Sequence, residues 1–162
     1  LESEELPVTG ITLYTDGGNR NTGNVAGGSV RPTDKSAWAA LLTYEGHEKL
    51  LSGGDYGKTN NYMEIMAVIE GLKAIKQPEI PVDVYSDSAY VINTMQQRWW
   101  VKWQQNNWRK QGKPVKNAEL WQALLAQVDR FETINFHKVK GHANDAANNR
   151  VDAALNHTMD QL

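Results

Sequence analysis

The run ITLYTDGG, Ile11 to Gly18, alternates weakly between apolar and polar residues and breaks off on a carboxylate and two glycines. Asp-Gly is a strong hairpin signal, so a turn after Asp16 is the plain reading of this segment alone. The flanking sequence makes it instead the first strand of a larger sheet. NRNTGNVAGGSVRPTDKS is too rich in glycine and asparagine for a regular element and reads as a long loop. AWAALLTYEGHEKLLSGGDYG then predicts two strands joined at Glu45, Gly46 and His47, with the first strand as their neighbour.

A helical period follows in TNNYMEIMAVIEGLKAIK, with Ile65, Val68, Ile69, Leu72 and Ile75 on one face and Pro78 expected to close it. PVDVYSD reads as a short strand and SAYVINTMQQ as a second helix. AELWQALLAQVDRF is an amphipathic helix, TINFHKV a strand, and DAANNRVDAALNHTMDQ a final helix. Three strands, helix, strand, helices, strand, helix imply an α/β fold: a five-stranded mixed sheet, an antiparallel meander extended by parallel strands through helical crossovers. One domain is expected over 11–158, with a flexible N-terminal extension over 1–10 and a C-terminal tail over 159–162.

A chain of 162 residues with ordinary apolar content can bury a proper core. No run approaches the roughly eighteen apolar residues of a membrane span, and LESEELPVTG lacks the basic and apolar regions of a secretory signal. A soluble, cytoplasmic protein is expected. The first residue is Leu, which suggests a processed or excised segment and leaves room for an upstream domain. The absence of cysteine excludes disulfides, thiolate catalysis and cysteine-ligated zinc, so any metal must sit on oxygen or histidine.

The net charge of −2 argues against a chain that coats nucleic acid indiscriminately, but the charge is uneven. From Ser88 to Ala118 there is no Asp or Glu, while Arg98, Lys102, Arg109, Lys110, Lys113 and Lys116 alternate with Trp99, Trp100, Trp103 and Trp108.

Four acids are each unremarkable alone. Glu64 stands three residues after Asn61 and fits a variant capping box with it. Asp87 precedes Ser88 at a helix start and could cap it. Asp152 could be a solvated helix acid. Together they differ, because Asp16 and Asp87 stand at the carboxyl ends of two sheet strands, where open sheets with crossover helices bind ligands, and Glu64 opens the helix nearby. Clustered carboxylates repel, and a divalent cation resolves the conflict. Magnesium takes oxygen ligands, and two such ions about 4 Å apart can stabilise both the attacking and the leaving oxygen of a phosphodiester.

YTDGG, TNNYMEIMA, YSDSAYV and KVKGHANDAANNRVDAAL, in that order, resemble the type 1 ribonuclease H family from about Ile11 to Asn156. The resemblance implies the ribonuclease H fold and hydrolysis of the RNA strand of RNA/DNA hybrids with two magnesium ions, manganese being an alternative. It implies Asp16, Glu64, Asp87 and Asp152 as metal ligands and His142 as an auxiliary in proton transfer or product release. It further implies 5′-phosphate and 3′-hydroxyl ends; a monomer with no membrane partner is expected.

The resemblance also supplies a way of sensing the hybrid, through 2′-hydroxyls and the minor groove rather than base sequence. Asn60 and Asn61 would contact the hybrid near the cut. Thr59 and Asn117 would grip a phosphate of the DNA strand, and Gly17 would let a nucleic-acid backbone approach. Ser88 joins the substrate-binding set. Tyr90, Trp99 and Trp103 belong to it with the basic handle at about 98–116, with Trp99 and Tyr90 as the expected contacts with the DNA sugars, although Trp99 and Trp103, four apart, could instead pack on one helix face. Arg109, Lys110, Lys113 and Lys116 would supply salt-sensitive attraction.

Three departures are visible. Gln104, Gln105, Asn106 and Asn107 stand where the family often carries cations, Ala89 replaces an amide-bearing residue, and the loop Asn19 to Lys35 is longer than usual. Asn19, Asn21 and Asn24 are candidates for contacts within that loop. A hybrid-binding module without chemistry and a DNA-cutting transposase or integrase relative remain rival readings.

Overall fold

The computed structural model describes residues 10–21, 30–139 and 146–162. Residues 1–9 of the expected N-terminal extension, Asn24 in the long loop, and His142 lie outside them. The elements run β1 (Ile11–Asn19), β2 (Lys35–Tyr44), β3 (His47–Tyr56), α1 (Asn60–Lys73), β4 (Val82–Ser86), α2 (Ala89–Gln96), α3 (Trp99–Gln105), β5 (Arg109–Lys110), β6 (Lys113–Pro114), α4 (Ala118–Val128), β7 (Ile134–Lys138) and α5 (Ala146–Asp160). The main sheet has the order β3-β2-β1-β4-β7. Its first three strands are antiparallel and β4 and β7 are parallel to β1, the mixed sheet that the element order implies.

Period-two alternation explains how the sheet takes a core on both faces. Ile11 and Leu13 of β1 meet Val82 and Val84 of β4 and pack on Ile65, Val68 and Leu72 of α1, with Trp121 and Leu124 of α4 behind. On the other face Ala37, Ala39 and Leu41 of β2 meet Val151, Leu155 and Met159 of α5. The alanines are small enough for α5 to lie close. Each fully buried Leu, Ile or Val on these faces contributes about 1.5–3 kcal/mol of transfer free energy. Beside α5, the rings of Tyr14, Tyr85 and His137 stack across β1, β4 and β7 at 4.7 and 4.8 Å, and His137 Nε2 lies 2.7 Å from Asp83 Oδ1.

Local rules account for the joints, sometimes differently from expectation. The β2–β3 hairpin turns on Glu45 and Gly46, both at positive φ, and His47 is already paired with Tyr44. Strand β1 does not stop at Asp16. It continues through Gly17 and Gly18 to Asn19, because β2 supplies partners as far as Ser36. Helix α1 ends at Lys73, before Pro78, and the Arg130 guanidinium donates to the carbonyls of Leu72 at 3.1 Å and Ile75 at 2.6 Å. Helix α5 runs to Asp160 with Met159 buried, and Leu162 lies over Gly54. Residues 159–160 are therefore helix rather than tail.

Candidate metal centre

Pairing between β1 and β4 runs only to Tyr14 and Tyr85, so the two strands part just before Asp16 and Asp87. That parting leaves both carboxylates at one end of the sheet. Asp16 is buried, at 7% exposure, and accepts the Gly17 N–H at 3.0 Å. Asp87 immediately follows β4, and the cap of α2 is Ser88, whose hydroxyl accepts the Val91 N–H at 3.2 Å. Asp87 is thereby relieved of the capping role that its position allowed.

Glu64 is delivered by α1. The expected capping box does not form, because the N-cap is Thr59, whose hydroxyl accepts the Tyr62 N–H at 3.0 Å, and Glu64 falls in the second turn. The helix reaches the strand because Gly17 has no side chain. A Cβ there would stand 2.3 Å from the Met63 carbonyl carbon and 2.4 Å from the Glu64 nitrogen. The space that a Cβ would take at Gly17 is thus filled by α1 backbone, which gives this glycine a packing reason of its own.

One oxygen each of Asp16, Glu64 and Asp87 lie within 4.8 Å of one another. Asp152, exposed on α5, lies outside this tight group but near enough for its charge to act on Asp16. Burial first, then the charges of Asp87 and Asp152, pushes Asp16 up to about 7. Burial, then Asp16 and Asp87, pushes Glu64 up to about 9. Two carboxylates about 4 Å apart repel by about 4 kcal/mol at an effective dielectric of 20. Without a cation the cluster therefore holds protons at neutral pH.

The donor set fits a hard divalent ion. It is all oxygen, and Glu64 Oε1 is buried with no hydrogen-bond partner among the described residues, an atom left for a cation or a proton.

Around this centre the sequence candidates separate. Asn60 and Asn61 are exposed on the first turn of α1, and Asn60 Oδ1 lies close to Gly18. The Tyr90 hydroxyl accepts from Trp121 Nε1 at 3.0 Å and from Asn117 Nδ2 at 3.3 Å, while its ring meets Trp121 edge-on at 5.3 Å. Asn117 is thus tied to Tyr90 and sits at positive φ as the N-cap residue of α4 without capping through its side chain. Trp121, on the buried face of α4, was missed as part of this cluster because its periodicity marks it only as core.

The two handle tryptophans divide. Trp103 is half-buried, 6.0 Å from Trp108 and 5.9 Å from Trp121, so it packs. Trp99 is 40% exposed, and its Nε1 donates to Gln97 Oε1 at 3.1 Å. Arg109, Lys110 and Lys113 stand exposed on the two-residue strands β5 and β6, a hairpin that no sequence pattern announced, and Lys116 is exposed beyond it. A groove of about 1130 Å³ lined by Arg98, Trp99, Lys102, Arg109 and Lys110 opens along this side.

The RNase H family model matches residues 9–159. The ribonuclease H of Thermoanaerobacter sp. (strain X514) is 46% identical over 143 residues, covering 88% of this chain and 84% of its own. That of Clostridium botulinum (strain Hall) is 40% identical over 153 residues, covering 94% and 97%. Among solved structures, LC9-RNase H1, a type 1 RNase H with the type 2 active-site motif, superposes with a TM-score of 0.80 at 23% identity over 98% of this chain and 75% of its own. LC11-RNase H1, solved in complex with RNA/DNA hybrid, gives 0.67 at 21% identity, covering 93% and 97%. The sheet order, the converging carboxylates and these matches agree: the chain belongs to the RNase H family of metal-dependent hydrolases.

Proposed function

We propose that this chain cuts the RNA strand of RNA/DNA hybrids at the Asp16, Glu64, Asp87 and Asp152 cluster with two magnesium ions, manganese serving in their place, and leaves 5′-phosphate and 3′-hydroxyl ends. The observation that carries this reading is the convergence of three carboxylates within 4.8 Å around an unpartnered buried oxygen. When bound, the ions supply an activated water and stabilise the leaving 3′ oxygen. Asp16, held by the Gly17 N–H, and Glu64, held by α1, provide the rigid side of the site. Asp87 and Asp152 complete it from β4 and α5. His142 serves proton transfer or product release.

Asn60 and Asn61 read the minor groove beside Asp16, their amides both donating and accepting. Thr59 and Asn117 grip the DNA-strand phosphate, and Ser88, the N-cap of α2, joins the substrate-binding set. Trp99 stacks on the DNA sugars, and Arg109, Lys110, Lys113 and Lys116 add attraction that salt weakens. Tyr90 and Trp103 act by supporting that surface, an assignment that rests on their packing against Trp121. Gln104 to Asn107 lower the handle's pull without touching the chemistry. The protein works as a monomer.

The test is cleavage of an end-labelled RNA/DNA hybrid with magnesium, beside duplex RNA, duplex DNA and Asp87→Asn. Cutting confined to the hybrid's RNA, with the variant binding but not cutting, is expected. A wild type that binds hybrid and cuts nothing with either metal overturns the reading, and equal cutting of duplex DNA replaces it with the DNA-cutting one.

A further inference from the structure

Asn19 and Arg20, where β1 ends, are fixed through their backbones to β2: Asn19 pairs with Ser36, and the Arg20 N–H donates to the Lys35 carbonyl at 2.8 Å. Successive residues of an extended chain point to opposite faces, and these two use both. Asn19 Nδ2 donates to the Lys58 carbonyl at 3.0 Å, immediately before Thr59 and the start of α1. Arg20 reaches the other face, where Nη2 donates to the Asn156 carbonyl at 3.0 Å and Nη1 pairs with Asp160 at 2.7 Å. The Asn156 amide in turn donates to the Asp152 carbonyl at 3.0 Å.

We infer that Asn19 and Arg20 are positioning residues that clamp α1 and α5 onto the strand carrying Asp16. Arg20 sets Asp152 through Asn156, and Asn19 sets the Thr59 to Asn61 segment. The inference rests on the hydrolytic function proposed above. A structural role alone would be slight, since the Arg20 to Asp160 pair is 40% and 59% exposed, and such pairs contribute little to stability. Geometry is the larger stake, because a displacement of about 1 Å at a reacting group costs on the order of 100-fold in rate.

The experiment measures kcat, KM for hybrid, half-saturating magnesium and Tm for the full chain and for Arg20→Ala, Arg20→Lys, Asn19→Ala and Asp152→Asn. Arg20→Ala is expected to raise half-saturating magnesium and lower kcat, each about tenfold, as residues behind metal ligands do, with KM unchanged. Its Tm should fall by no more than about 4 °C, and Arg20→Lys, which keeps the charge, should recover part of the loss. Asn19→Ala should raise KM about fivefold with the magnesium response unchanged, the loss of one neutral hydrogen bond.

Wild-type metal response and kcat in Arg20→Ala overturn the clamp, as does a loss that merely follows a large fall in Tm. A wild type that cuts no hybrid overturns the hydrolytic reading itself, whereas an Asp152→Asn that cuts normally takes Asp152 out of the site and overturns the Arg20 arm of the clamp with it. Full activity in the wild type, loss in Asp152→Asn and no effect of Arg20 sink the clamp alone.

Discussion

Replacing Gly17 by alanine is the sharpest perturbation of the site that leaves every carboxylate in place. The added Cβ would stand 2.3 Å from the Met63 carbonyl carbon, 2.4 Å from the Glu64 nitrogen and 2.6 Å from the Met63 oxygen. Carbon atoms prefer separations of about 3.5–4.0 Å, so α1 must retreat from β1 by more than about 1 Å. All three close atoms are backbone, and no rotamer change relieves the clash. Overpacking of this kind costs about 1–3 kcal/mol, which for a chain of this length lowers Tm by about 3–10 °C.

The larger effect falls on Glu64, which moves with the helix. Magnesium binds oxygen at about 2.0–2.1 Å with little tolerance, so a shift of about 1 Å removes the ligand. Hybrid cleavage in a magnesium titration should show kcat down on the order of 100-fold and half-saturation raised, with KM for hybrid unchanged. Gly18→Ala is the internal control, since its Cβ would meet nothing closer than 3.6 Å. Wild-type kcat and Tm in Gly17→Ala, or equal losses in both variants, would refute the packing argument. A rise in KM alone would return Gly17 to the role of admitting the substrate backbone.

Protons and metal should compete. Asp16 rises from 3.8 to about 7 and Glu64 from 4.5 to about 9 on folding, so both bind protons more tightly in the folded state. Their contribution to the stability of metal-free protein is therefore complete below about pH 4 and lost as pH rises through about 7 and about 9. Tm of chelator-treated protein should carry that falling component between pH 5 and 9.5, and Asp16→Asn should flatten its lower half; a component that rises through this window contradicts the shifts. Calorimetry at neutral pH should show proton release on magnesium binding, and release of none would place the ion elsewhere. Trp99→Ala should weaken hybrid binding by about 1–3 kcal/mol, the usual loss of one aromatic stacking contact, with metal dependence unchanged. His142→Ala should slow turnover, about 100-fold or less, and leave hybrid affinity intact; loss of metal binding in either variant contradicts these roles.

Most of the fold was legible in the sequence because its signals were local. The hairpin at Glu45-Gly46, the period of Ile65 to Ile75 and the strand before Asp87 each declare themselves within about ten residues. What escaped depended on neighbours distant in sequence. Gly17 and Gly18 look like a break, and only the partners on β2 keep them in a strand. Thr59, Asn60 and Asn61 are all acceptable caps, and the choice of Thr59 follows from where the chain leaves β3. Trp99 and Trp103 carry the same chemistry, and the position of Trp121 decides which one packs. The convergence of Asp16, Glu64 and Asp87 was legible because their motifs occur in a specific order, whereas Asn19 and Arg20 belong to no motif. Their significance lies in carbonyls 39 and 136 residues away.

The central position of β1 has a kinetic consequence. On one side it joins a hairpin closed by a two-residue turn; on the other, Thr15 Oγ1 meets the Tyr85 carbonyl across 70 residues of chain. Contacts of such different range form in sequence during folding, local ones first, because long loops must be closed before their contacts repay the entropy. Asp16 and Asp87 stand on opposite sides of that seam, so a folding intermediate with only the hairpin and α1 docked holds no complete ion site. Such a state offers a divalent cation only Asp16 and Glu64, and the full set forms when β4 joins β1. The ion is therefore expected to slow unfolding of the finished molecule more than it speeds refolding.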